Sequence, residues 1–279
     1  MGSPGGIGRN TKAAIISMQE TVTIIKIGGQ ILDNESKLAL FLEQFVQLPG
    51  KKVLVHGGGK LATTLAEKMG VQQQMIDGRR ITDSETLRIV TMVYAGHINK
   101  NLVASLNAQG CLSIGLCGAD GCLITAHKRQ HPTIDFGWVG DIDSVNGQLL
   151  SSLLLQELTP VIAPITADTT GQLLNTNADT IAASLATALS TSYSVQLVYA
   201  FERSGVLRDL QDADSVIPHI HFALYQQLLQ EKIIADGMIP KLENAFATLA
   251  GGAKKIIIGN ALQLLDLLQG NTGTTITYE

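Results

Sequence analysis

Lys26 stands in a β-branched run, Ile24-Ile25-Lys26-Ile27, that ends in Gly28-Gly29, and further on Val53-Leu54-Val55-His56 leads into Gly57-Gly58-Gly59. A buried parallel strand that ends in glycines brings backbone N–H groups close to an anion, and the helix after it adds the positive end of its dipole. Two such loops together suit a polyphosphate, with the Lys26 ammonium as a point charge beside them. Three more clusters are polar where a core pattern asks for apolar residues. Gly78-Arg79-Arg80-Ile81-Thr82 sets two guanidinium groups before a helix start, suited to bidentate carboxylate capture. Asn175-Thr176-Asn177-Ala178-Asp179 opens a second helix, and Ala235-Asp236-Gly237-Met238-Ile239-Pro240-Lys241 puts an acid, a glycine turn and a lysine around a third. Taken singly, each cluster also reads as capping residues or solvated surface charge.

The elements that must position these groups alternate between strand and helix. Residues 36–47 place Leu38, Phe41, Leu42 and Phe45 on one face and stop at Pro49-Gly50, a helix between two parallel strands. Residues 60–69 continue as a helix from the glycine triplet. Thr82-x-x-Glu85 has the form of a capping box opening a long amphipathic helix that runs to Gly110, long enough to serve as a subunit interface. From Cys111 to Asp141 the chain is rich in glycine and β formers, which predicts hairpins over a sheet edge. Strands at 160–163, 195–200, 255–258 and 274–278 then alternate with helices at 178–189, 219–230, 238–249 and 260–268. The expectation is an α/β fold with a mainly parallel central sheet sandwiched by helices, in two lobes that meet near Thr191-Ser192-Tyr193. Residues 1–17 read as a flexible leader, with Met18 as a natural start.

Composition narrows the function class. A chain of 279 residues, 45% hydrophobic, is large enough for a sizeable core, and a net charge of −4 carries no nucleic-acid footprint. No apolar stretch approaches membrane-spanning length and the start lacks a secretory pattern. Cys117, Cys122, His127 and His131 look at first like four metal ligands, but the Cys and His pairs are too close in sequence for a zinc finger, and no metal site is expected. An odd count of three cysteines argues against a disulfide framework and for reduced thiols in the cytoplasm.

Taken in order, Lys-x-Gly-Gly at 26–29, His-Gly-Gly-Gly at 56–59, Gly-x-Arg-Ile-Thr at 78–82, Asn-x-Asn-Ala-Asp at 175–179 and Asp-Gly-Met-x-x-Lys at 236–241 resemble the motifs of the amino acid kinase family, its N-acetylglutamate kinase branch most closely. The resemblance runs from about Thr21 to Gly273-Thr274-Thr275-Ile276. It implies ATP-dependent phosphorylation of the side-chain carboxylate of N-acetyl-L-glutamate in arginine biosynthesis, with Mg2+ bound through the nucleotide and no metal site of the protein's own. By the same resemblance Lys26 and Lys241 are catalytic, with Asp179 holding both. Gly28 and Gly29 bind phosphate, while Gly58, Gly59, Arg80 and Asn175 bind the acid substrate. Glu202, Gly205, Leu207, Asp236, Gly237 and Met238 bind nucleotide. Residues 18–192 would form the lobe for the amino acid substrate and dimerisation, and 193–279 the lobe for ATP.

The chain departs from the family pattern at Ala200-Phe201-Glu202-Arg203-Ser204-Gly205-Val206, where Glu202 replaces the usual aspartate, and at Lys60, a cation directly after the glycine triplet. A pocket-facing Lys60 would favour N-succinyl-L-glutamate as the alternative substrate, and the altered segment around Glu202 leaves open a non-catalytic nucleotide or amino-acid sensor. No amphipathic helix is evident ahead of the first strand. In this family such a helix accompanies arginine-inhibited hexamers, so a homodimer without arginine feedback is expected.

Overall fold

The computed structural model describes residues 19–76, 79–209, 211–234 and 238–279, so the leader expected at 1–17 lies outside the described residues. Eight strands form the main sheet: β1 (Thr21–Ile27), β2 (Lys51–His56), β3 (Ser113–Leu116), β4 (Thr159–Ile162), β5 (Ser194–Phe201), β6 (His219–Ile220), β7 (Lys255–Asn260) and β8 (Thr274–Ile276). Their spatial order is β6-β8-β7-β5-β1-β2-β4-β3. The pairs from β7 to β3 are all parallel, so these strands deliver their C-terminal ends to one edge, where ligands of open α/β sheets bind. β8 turns back antiparallel to β7, and β6 follows it in parallel.

The strands sort their side chains by parity. In β1, Val22 and Ile24 enter one apolar cluster with the helices Ala178–Leu189 and Ile239–Ala250, while Ile25 and Ile27 enter a second with the helices Glu35–Gln47 and Gly59–Lys68. Both faces are therefore covered, which is why the strands read as continuous apolar runs rather than as an alternation. Lys26 shares the parity of Val22 and Ile24 and so points toward the helix that Asp179 opens. His56, at the end of β2, shares the parity of Leu54 and points to the opposite face.

Two sequence expectations need correction. Only the latter part of the 111–141 stretch is a hairpin. Ser113–Leu116 joins the main sheet as its outermost parallel strand, because its pairing with β4 satisfies a full ladder. Ile124–Lys128 pairs antiparallel with Gly140–Val145, and these two belong to a separate four-stranded sheet with Ile165–Ala167 and Leu173–Asn175. The capping box is also displaced. Asp83, not Thr82, caps the helix Ser84–Thr91, its carboxylate accepting from Thr86 N at 2.7 Å. Thr82 is fully buried and its hydroxyl is engaged elsewhere, whereas a carboxylate at Asp83 also complements the helix dipole. The long helix itself is not uniform, since a π-helical segment, Met92–Ile98, joins Ser84–Thr91 to Asn99–Ala108.

Candidate active site

One carboxylate holds two ammonium groups at the C-terminal edge of the sheet. Asp179 lies in the first turn of the helix Ala178–Leu189, whose N-cap Asn177 accepts from the backbone N–H groups of Asp179 and Thr180 at 2.8 and 3.2 Å. Lys26 Nζ sits 2.7 Å from Asp179 Oδ1, and Lys241 Nζ, from the first turn of Ile239–Ala250, sits 3.4 Å from Oδ2. At 2.7 Å the Lys26 ammonium is within hydrogen-bond distance of Oδ1, so charge and contact act together. Burial works to raise the Asp179 carboxyl, but Lys26 and Lys241 outweigh it and hold the group below the usual carboxylate range. Two cations on one anion leave one net positive charge beside the glycine loops, which fits a polyphosphate. Lys241 Nζ also lies 5.7 Å from the centre of the Phe201 ring.

The second loop shapes a cleft of about 190 Å³ next to this triad. Gly58 must be glycine: its φ is +150°, and a Cβ there would stand 2.3 Å from Ile98 Cδ1 and 3.0 Å from Tyr94 Cδ1. The N–H of Gly57 is directed to Ile27 O at 3.3 Å, and Gly59, as the first residue of its helix, has no intrahelical acceptor for its own. Arg80 is buried against the cleft, its guanidinium donating to Gly59 O and Thr63 Oγ1 at 2.8 Å each and to Gln73 Oε1. Three of its five N–H groups are thereby engaged, and the arginine is fixed before any substrate arrives. Burial pushes the Tyr94 phenol up, with Arg80 pulling the other way. Asn175 closes the far wall by donating Nδ2 to Thr82 Oγ1 at 3.0 Å, and Thr82 in turn donates to Arg80 O at 3.1 Å. Asn177 and Ala178 line the same cleft and lead directly to Asp179.

The structure thus brings together Lys26, Asp179, Lys241, Gly58, Gly59, Arg80 and Asn175. Gly28 caps the short helix Gly29–Leu32, and the Glu202 carboxylate comes within 3.9 Å of where a Gly28 Cβ would be, so Glu202 faces the first glycine loop. Gly205 has a packing reason of its own: a Cβ would meet Thr274 Oγ1 and Val216 Cγ1 at 2.8 Å. Leu207 bridges to Val216, and Met238 caps Ile239–Ala250 and packs on the core. Asp236 and Gly237 lie outside the described residues. Lys60 is exposed and is not among the cleft residues. Sequence reasoning missed Tyr94, whose place in an apolar stripe reads as core, and Thr63 and Gln73, which carry no local signal.

The sequence pattern of the amino acid kinase family matches residues 21–260, and the chain belongs to that family. Acetylglutamate kinase of Bacteroides thetaiotaomicron is 48% identical over 259 residues, covering 93% of this chain and 99% of that protein. Acetylglutamate kinase of Cytophaga hutchinsonii is 51% identical over 249 residues, covering 89% and 94%. In three dimensions, N-acetylglutamate synthase from Neisseria gonorrhoeae, complexed with coenzyme A and N-acetyl-glutamate, shares the fold at a TM-score of 0.78 and 24% identity, over 94% of this chain and 60% of that one.

Proposed function

We propose that this protein transfers the γ-phosphoryl group of ATP to the side-chain carboxylate of N-acetyl-L-glutamate, giving an acyl phosphate and ADP, as a step of arginine biosynthesis. The observation that carries this reading is the Lys26–Asp179–Lys241 triad set against a glycine-walled cleft with a fixed arginine, in a chain whose relatives are acetylglutamate kinases. Such transfer needs positioning and charge neutralisation more than covalent chemistry.

In this mechanism Arg80 and Asn175 hold the non-reacting carboxylate, so the side-chain carboxylate is aimed at the loop amides of Gly58 and Gly59. Lys26, joined there by the amides of Gly28 and Gly29, stabilises the charge that spreads over the equatorial oxygens in the transition state. Lys241 neutralises charge on the nucleotide side. Asp179 keeps both ammonium groups apart and in place. Glu202, Gly205, Leu207 and the 236–238 turn would border the nucleotide. Mg2+ would come with ATP, held chiefly by its phosphates, and would offset their charge.

The N-terminal lobe, residues 18–192, would serve the acid substrate and dimerisation, and the C-terminal lobe, residues 193–279, ATP. The long helix with its exposed Met92 is the candidate face for a homodimer. No helix among the described residues is long and apolar enough to cross a membrane, and three unpaired cysteines suit a cytoplasmic setting. The test is ADP release measured with N-acetylglutamate, N-succinylglutamate, glutamate, aspartate and carbamate. Preference for any acid other than N-acetylglutamate would overturn the assignment.

A further inference from the structure

His56 closes β2 directly before the glycine triplet, is fully buried, and has no part in the phosphoryl transfer itself. Its Nδ1 lies 2.8 Å from Gly57 O, an acceptor only, so Nδ1 carries the proton. Its Nε2 then accepts from Asn99 Nδ2 at 3.2 Å. Asn99 is oriented without ambiguity: the same Nδ2 donates to Val161 O at 2.9 Å, and Oδ1 accepts from Lys100 Nζ at 3.1 Å. The fold makes room for this amide with a glycine, since a Cβ at Gly115 would fall 2.0 Å from Asn99 Oδ1. Asn99 follows immediately on the π-helical segment whose Tyr94 and Ile98 pack over Gly58. π segments of this kind occur often at functional sites.

We propose that His56, held by Asn99, is a positioning residue that fixes the Gly57 carbonyl and thereby aims the Gly58 and Gly59 amides at the acid substrate. The proposal rests on the reading that this loop binds that substrate. Burial, with Lys100 adding to it, lowers the imidazole to about 4, so His56 stays neutral and keeps one donor and one acceptor near neutral pH. A charged ring would set an Nε2–H against the Asn99 amide donor.

The test compares His56→Phe, which keeps the ring and removes both polar contacts, with His56→Asn, whose amide keeps a donor near Gly57 O. In steady-state kinetics on folded protein, His56→Phe should lower kcat/KM for N-acetylglutamate by about tenfold to 100-fold, as expected for a misplaced loop, while KM for MgATP stays near wild type. His56→Asn should restore most of the loss. Asn99→Leu, which leaves residues 56 and 57 untouched, should reproduce the selective loss and decides the matter if His56→Phe does not fold. A wild-type kcat/KM for N-acetylglutamate in the folded variants, a KM for MgATP raised as much as kcat/KM for the acid falls, or no rescue by His56→Asn would overturn the proposal. If instead the loop does not bind the acid, Arg79→Ala and Arg80→Ala will both leave the KM for N-acetylglutamate unchanged, an outcome independent of His56.

Discussion

Asp179→Asn removes the charge that holds two lysines while preserving side-chain volume. At an effective dielectric of about 20, unit charges at 2.7 and 3.4 Å attract by roughly 6 and 5 kcal/mol, the second overstated because Lys241 is 38% exposed. Desolvation offsets most of that attraction, and breaking a largely buried pair costs about 3–5 kcal/mol because the partner charges stay behind. An amide oxygen still accepts one N–H, so the expected loss of stability is at the low end, about 3 kcal/mol in urea unfolding near neutral pH. The sign with pH follows from the lowered carboxyl. Its stabilisation is complete above the unfolded value of about 3.9 and is lost as the pH falls through the lower folded value. The stability gap between wild type and variant should therefore be constant near neutrality and shrink only in strong acid. In coupled ADP-release assays kcat should drop by about 100-fold or more, because neither ammonium keeps its place in the transition state. A near-normal kcat, or a gap that closes well above the carboxylate range, would refute this account of the triad.

Lys26→Ala and Lys241→Ala should each lower kcat by about 100-fold while moving the apparent substrate constants far less, since each ammonium acts mainly on charge that develops during transfer; initial rates across both substrates check this. Arg80→Ala should raise the KM for N-acetylglutamate with MgATP binding little changed, because its hold on the carboxylate exists before and during transfer. It should also lower Tm, since Gly59, Thr63 and Gln73 lose their shared donor. If Arg79→Ala has the kinetic effect and Arg80→Ala has none, the carboxylate partner is the neighbouring arginine. Gly58→Ala should unfold earlier by differential scanning calorimetry, at a cost of about 1–3 kcal/mol for the backbone alone and more for the collision with Ile98, and its activity should be lost even where it remains folded.

The sequence by itself determined the parts that depend on local chemistry. β-branched runs ending in glycine mark strands that deliver amides to a loop, and residue parity within a strand decides which face Lys26 takes, because successive side chains alternate. Asn177 as an N-cap and the helix Ala178–Leu189 were legible for the same reason, since a side-chain acceptor beside free N–H groups acts within three residues. Only the tertiary structure decided what must be measured across the chain. Lys26, Asp179 and Lys241 meet because β1 lies beside β5 in the sheet, with the two helices packed over them, a pairing that no local pattern encodes. Long-range partners also changed local expectations. Thr82 loses the capping role once Asn175 and Arg80 engage its hydroxyl, and the packing of Gly205 against Thr274 and Val216 carries no local signal. Spacing along a chain fixes what a residue does to its own backbone, whereas the partner of a buried charge or hydroxyl is chosen by which distant elements pack together.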